Sequence, residues 1–302
     1  MRWLLVFPLI ITFTPAASAQ RPQIVRTVRS AIASGDFAKA QSAIDAHQPK
    51  DSGYLEALSW MARGSLGAKR LDEADAYAVR TRTETLAMLK GRALDDDTSL
   101  PLALGASIEV QAQVLDARGQ RIEAVAFLQD ELKRWQATSI RTRIQKNLHL
   151  ISLVGKPAPA LDTHEHLGAA PPALASLKGR KTLLFFWAHW CGDCKAQAPI
   201  LARIRKEIPE SKLAILAPTQ TYGYVEGGNE APRADEIAYI KGVFEKYYSR
   251  IEGVTVPVSE ENFKAWGSST TPTLVLIDES GVVRLYHPGK MTYEELMAAL
   301  TR

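Results

Sequence analysis

Cysteine is nearly absent: the 302-residue chain has two, Cys191 and Cys194, separated by only two residues. A framework of several disulfides is therefore excluded, and so is a four-cysteine zinc site. Long apolar runs are also missing. The one at the start, Trp3 to Phe13, falls short of the roughly 20 residues a membrane helix needs, and no later stretch comes near that length. Nor does charge of one sign dominate. The 37 Lys and Arg face 33 Asp and Glu for a formal charge of +4, with the basic residues spread among acidic ones rather than gathered with aromatics. Neither nucleic acid nor an anionic membrane surface is an expected partner. No Gly-rich phosphate loop occurs, so no nucleotide cofactor is expected.

What is present begins with MRWLLVFPLIITFTPAASAQ, which has an early Arg2, the short apolar run, and Ala17-Ser18-Ala19 ahead of Gln20. This is the layout of a cleaved secretory signal over residues 1–19, and it predicts a periplasmic or secreted protein, with an uncleaved anchor as the alternative. No cysteine follows the cleavage region, so a lipid anchor is not suggested. An oxidising compartment permits a structural disulfide. A loop as short as Cys191 to Cys194 would give little chain-entropy stabilisation, however, so structure is a poor reason for the pair.

From 21 to 150 the chain is rich in Ala, Arg, Gln, Glu and Leu, with apolar residues at helical spacing. Leu58, Met61 and Ala62 form one stripe, and Val125, Leu128, Leu132 and Trp135 form another on a single helix face. Breaks are expected at Ser34-Gly35-Asp36, from Gly64 to Gly67, around Asp95-Asp96-Asp97, at Pro101 and at Arg118-Gly119. An all-α array of helical hairpins follows. The segments SGDFAKA, GAKRLDEA and ARGQRIEA resemble the turns of tetratricopeptide-like repeats, although their glycines are unevenly spaced. Such a resemblance implies a concave face for a protein partner, the alternative being a spacer or dimerisation unit.

Pro157 and Pro159 in VGKPAPALD end the helical texture, and a second domain is placed at 152–302. Expected there are strands at Thr182–Ala188, Leu213–Ala217, Val254–Val258, Thr273–Ile277 and Val282–Tyr286, and helices at Cys194–Ile208, Glu236–Tyr248 and from Tyr293. A βαβ opening with an antiparallel finish predicts an α/β fold with a mixed central sheet flanked by helices. If the second strand runs parallel to the first, the loop TQTYGYVEGGNEAPRAD leaves the sheet beside the cysteines, where Tyr222 and Tyr224 would either line a substrate lip or pack on the protein's own body.

Cys191 and Cys194 stand where a buried strand meets a helix. There the first thiol lies among unpaired helix amides at the positive end of the dipole, which favours the nucleophilic thiolate. Cys191 is thus the expected nucleophile and Cys194 the resolving thiol. FFWAHWCGDCKAQAP, with Trp187, Trp190, Lys195 and Pro199, resembles the thioredoxin superfamily, as does Thr271-Pro272 before an apolar strand. With the export signal and GKPAP, the resemblance is to TlpA/ResA-like secreted thiol-disulfide oxidoreductases, over about 152–302. It implies a thioredoxin fold, a cis bond at Pro272, and client contacts from Trp190, Gly192, Thr271 and Pro272. It also implies a disulfide-bearing client and an electron-donating dithiol protein as partners.

Three positions depart from the family. Phe185 replaces the buried Asp that thioredoxin carries six residues before the first cysteine, Gln197 stands where many TlpA-like members have Glu, and Asp193 occupies a common proline position. A carboxylate at 193 opposes thiolate formation and so stabilises the disulfide, which makes Asp193 a candidate for tuning thiol pKa and biasing the pair toward reduction of clients. Ala188 and Leu184 stand where a peroxiredoxin needs Thr or Ser and Pro, so peroxidase chemistry is not expected. Two other classes remain open. The thiols could hold Cu(I) as a metallochaperone would, or form a static disulfide in an adaptor whose helical part does the work. His164 and His166 in DTHEHLG, with Asp162 and Glu165 nearby, supply too few ligands on one face for a metal and are read as a polar loop, His189 and His287 are read as structural or solvent-exposed, and no metal site is expected.

Overall fold

The computed structural model describes residues 21–302, so the expected signal over 1–19 lies outside the described residues. Helices come first: α1 (Gln23–Ala33), α2 (Phe37–Ala46), α3 (Ser52–Gly67), α4 (Leu71–Leu89), α5 (Leu100–Ala117), α6 (Arg121–Arg134) and α7 (Arg141–Ser152). Asp36 and Asp51 start α2 and α3 by accepting the amides of Lys39 and Tyr54, each at 2.9 Å. Helices α1, α3, α5 and α7 touch in succession, while α2, α4 and α6 each pack on the preceding member of that row. Their shared core holds Val25, Val28, Leu55, Leu58, Leu104 and Ile108, and Leu128 joins it from α6.

The break expected from Gly64 to Gly67 falls at the far end of that stretch, where α3 stops at Gly67. Helix α3 runs unbroken through Gly64, because that glycine is where α1 comes closest: a Cβ there would lie 2.7 Å from Ile32 Cγ2. Gly64 serves packing, not chain reversal. Pro101 lies in the first turn of α5, where its missing N–H costs nothing.

The second half contains β1 (His166–Leu167), β2 (Lys181–Phe186), α8 (Gly192–Glu207), β3 (Leu213–Leu216), α9 (Arg233–Tyr247), β4 (Val256–Pro257), α10 (Glu260–Ala265), β5 (Thr273–Ile277), β6 (Val283–Pro288) and α11 (Tyr293–Thr301). The main sheet has the order β3-β2-β5-β6, with β2 parallel to β3 and antiparallel to β5, and β5 antiparallel to β6. Alternate residues face opposite layers. Leu183 and Phe185 pack with Leu201, Ile204 and Leu296 on one side. Leu184 and Phe186 pack with Phe263 and Trp266 on the other. Burial on both faces explains why β2 reads as a continuous apolar run. The expected strand over Val254–Val258 is shorter, and it pairs with β1 in a separate two-stranded sheet. His166 is therefore strand rather than loop.

Helix α7 joins the two halves. His149 Nε2 lies 2.9 Å from the carbonyl of Ala265, and the Gly155 amide donates to Val283 at 2.8 Å. Gly267, at φ +62°, lies so close to α7 that a Cβ would fall 2.4 Å from the Lys146 nitrogen. Among the described residues, no helix is long and apolar enough to cross a membrane.

Candidate active site

Strand β2 delivers the site. Beyond its end Trp187 is fully buried, with its indole N–H donating to Ala217 at 2.9 Å and its carbonyl accepting the Thr219 hydroxyl at 3.0 Å. These bonds tie the exits of β2 and β3 together and fix the turn that begins α8. Cys191 is the N-cap of that helix, and its Sγ accepts the Cys194 amide at 3.0 Å. Cys191 and Cys194 are joined in a disulfide, with Cα atoms 5.3 Å apart. In the reduced state the same amide and the dipole of a 16-residue helix would favour a thiolate at Cys191. Cys194 is fully buried one turn further in, whereas Trp190 beside the pair is 49% exposed.

The register of β2 with β5 ends at Phe186 opposite Thr273. Continuing it places Pro272 and Thr271 beside Trp187 and Ala188, in the strand-to-helix turn that carries Cys191. The Thr271–Pro272 peptide is cis. Gly192 opens α8, and its missing side chain faces open space. Asp193 projects from the first turn of α8 and ion-pairs with Lys290 Nζ at 3.0 Å, both side chains being 60% exposed. The carboxylate that the sequence places beside the thiols thus has a cation next to it, which offsets part of its field.

Several residues of the site give no signal in sequence. Lys290 is one, because the β6–α11 connection brings it across the start of α8. The same connection places the Met291 amide 2.8 Å from Gln197 Oε1, so the buried Gln197 is an acceptor for the backbone and its Nε2 is left without a partner. Phe185 packs against Tyr248 with ring centres 5.8 Å apart. Glu236, in the first turn of α9, is fully buried and accepts the amides of Tyr222 and Gly223. It also lies 3.3 Å from His189 Nε2. Burial pushes the His189 pKa down, against the pull of Glu236.

The loop after β3 does emerge beside the cysteines. Tyr222 and Tyr224 both pack edge-on to His189, with centres 5.6 and 5.3 Å away, and Tyr222 also meets Trp190 at 5.6 Å. Burial raises the Tyr222 hydroxyl well above the usual phenolic range, so it stays protonated. Tyr222 is thus packed on the protein's own body and adjoins the exposed tryptophan. His164 is exposed and hydrogen-bonds only to Asp162. Among the described residues no group of three or more His, Cys, Asp or Glu side chains could hold a metal.

Residues 172–302 match the family model described as a thioredoxin-like domain. The second half is a thioredoxin-superfamily domain. It is similar to the thioredoxin-like protein YneN of Bacillus subtilis, with 29% identity over 47% of this chain and 75% of that one. The thiol:disulfide interchange protein DsbE of Xylella fastidiosa is 26% identical over 47% of this chain and 65% of its own length. The thiol-disulfide oxidoreductase ResA of Bacillus thuringiensis subsp. konkukian is 27% identical over 47% of this chain and 74% of its own. The thioredoxin-superfamily domain is thus related to TlpA/ResA/DsbE-type oxidoreductases. Its Cys191–Cys194 disulfide at the start of α8 supports thiol–disulfide oxidoreductase activity. The family model leaves the helical half, α1 to α7, unmatched.

Proposed function

We propose that this protein is an exported oxidoreductase that reduces disulfides of client proteins, with residues 21–150 as a helical-hairpin, tetratricopeptide-like docking domain and 152–302 as the redox domain. The observation that carries it is the Cys191–Cys194 disulfide at the head of α8, with the Cys194 amide on Cys191 Sγ. In the reduced state the Cys191 thiolate attacks one sulfur of the client disulfide. A Cys191–client disulfide forms, and the client's other sulfur leaves as a thiolate that takes a proton. Cys194, once deprotonated, attacks Cys191 Sγ and releases the second client thiolate. Two electrons pass to the client, and the pair returns to the disulfide seen here until a dithiol protein reduces it. Trp190, Gly192, Thr271 and Pro272 contact the client chain around the reacting sulfurs.

Export is supported by the composition of residues 1–19, and a periplasmic or secreted location follows from it. The direction of electron flow rests on the family resemblance and on the carboxylate of Asp193, whose effect Lys290 diminishes. It is tested by the equilibrium reduction potential of the pair in thiol buffers. A value near roughly −270 mV is expected of a reductase, whereas one near roughly −120 mV would make the protein an oxidant and reverse the assignment.

A further inference from the structure

A cleft of about 240 Å³ opens between the start of α7 and the cis-proline loop, beside the exposed face of Trp190. Its helical wall is Ser139 and Thr142, its redox wall Ser268 and Thr271, and Trp190 and Tyr222 also line it. The two halves of the chain therefore both line a cleft that includes Trp190, the residue before Cys191. Nothing in the β2–α8 turn required this. It follows from the contact of α7 with Gly267, which sets the residues after it, Ser268 through Pro272, against the helical half.

Two features indicate an occupant. Ser268 is 3% exposed, yet its hydroxyl finds no partner in the protein, and the Thr271 hydroxyl is likewise buried and unpaired. Buried hydroxyls without partners are costly, and because both residues line the cleft, a group bound there could supply the missing hydrogen bonds. The charged groups of the cleft cancel: Lys264 lies 3.0 Å from Glu260. A charged side chain would gain nothing there, whereas an uncharged one that both donates and accepts would satisfy both hydroxyls. The helical wall is held in place, since Asp95 accepts the amide of Ser139 at 3.0 Å and also its hydroxyl.

We propose that this cleft receives an uncharged hydrogen-bonding side chain, such as Asn or Ser, from the extended client segment flanking the disulfide, and that the helical half thereby takes part in client selection. The inference rests on the thiol-disulfide reading of Cys191 and Cys194. It makes Thr142 and Ser268 specificity-determining residues and gives the helical half a role within the reacting complex rather than at a remote surface.

The test uses the full mature chain, reduced, with short synthetic peptides each carrying one cysteine as a thiopyridyl mixed disulfide and flanked by Asn, Ala or Asp. Dithiodipyridine serves as a disulfide with no peptide. The quantity read is the peptide rate divided by the dithiodipyridine rate. The Asn peptide is expected to exceed the Ala peptide by roughly three- to tenfold, the worth of one neutral hydrogen bond, with the Asp peptide no better than Ala. Thr142→Arg, which fills the cleft from the helical side, should remove that preference, and Ser268→Ala should reduce it while leaving room in the cleft. Equal ratios for all three peptides, or an Asn preference that survives both substitutions, overturn the cleft while leaving the redox reading intact. If the reduced wild type exchanges with none of the disulfides, the redox reading itself fails and the cleft with it.

Discussion

Asp193 and Lys290 pose the sharpest question at the scale of single residues. A carboxylate in the first turn of α8 suits the helix dipole, but it also opposes the thiolate that Cys191 needs. Lys290, 3.0 Å from it, works in the other direction. Because both side chains are largely exposed, solvent and salt weaken each effect. Removing one partner exposes the other. Asp193→Asn leaves Lys290 unopposed and should lower the Cys191 pKa and raise the reduction potential. Lys290→Gln leaves Asp193 unopposed and should do the reverse, each by less than roughly 30 mV. Thiolate absorbance against pH and equilibrium with thiol buffers measure both quantities. Shifts of the same sign in the two variants would show that the pair does not tune the thiols electrostatically.

At the scale of elements, glycine separates two kinds of position that look the same in sequence. Gly35 has φ +78° and nothing within 4 Å of where a Cβ would lie, so it ends α1 in open space. Gly267 has φ +62° and the backbone of α7 directly against it. An Ala at position 35 costs only the left-handed backbone, about 1–2 kcal/mol. At position 267 the same cost is joined by a collision that only separation of α7 from the α10–β5 connection can relieve. Gly267→Ala should therefore lower the urea midpoint clearly more than Gly35→Ala, with earlier proteolysis between the halves. Equal losses would mean that the α7 contact contributes little.

The same distinction marks what can be read from sequence. Strand β5 and helix α8 are legible because an apolar run bounded by Pro272 and Asp278, and a cysteine pair at a strand end, are local patterns. Gly64 and Gly67 look alike in sequence, yet only Gly67 ends α3, because the purpose of Gly64, the approach of Ile32, lies in another helix. Helix α10 has only six residues, too few to show a period. Lys290 and Glu236 reach the site through tertiary placement, and nothing in their neighbourhoods announces it.

For the whole molecule, the joint between halves passes through a buried histidine. His149 donates toward the Ala265 carbonyl, stacks edge-on to Tyr286 with ring centres 5.5 Å apart, and has Gln145 beside it. Burial lowers its pKa, the bond to Ala265 opposes that shift, and Lys156 adds to it. The folded chain thus keeps His149 neutral at a pH where the unfolded chain, titrating near about 6.5, already binds a proton. Stability from this group is full above the unfolded value and erodes as pH falls below it, because the unfolded state then gains protons that the folded state refuses. Lowering the pH from about 7.5 to about 5.5 should bring the melting temperature down, and His189, shifted the same way, adds to the loss. His149→Gln retains a donor for Ala265 but cannot titrate. Its melting temperature should drop by less than that of the wild type over this range, by a few degrees at most, the scale set by chain size. An identical pH dependence in the two proteins would place the acid sensitivity elsewhere, with His189 and Glu236 next to be substituted. A smaller dependence in the variant would mean that acid weakens the joint that brings Thr142 to the cis-proline loop. The preference for the Asn peptide would then fade at low pH before exchange with dithiodipyridine does.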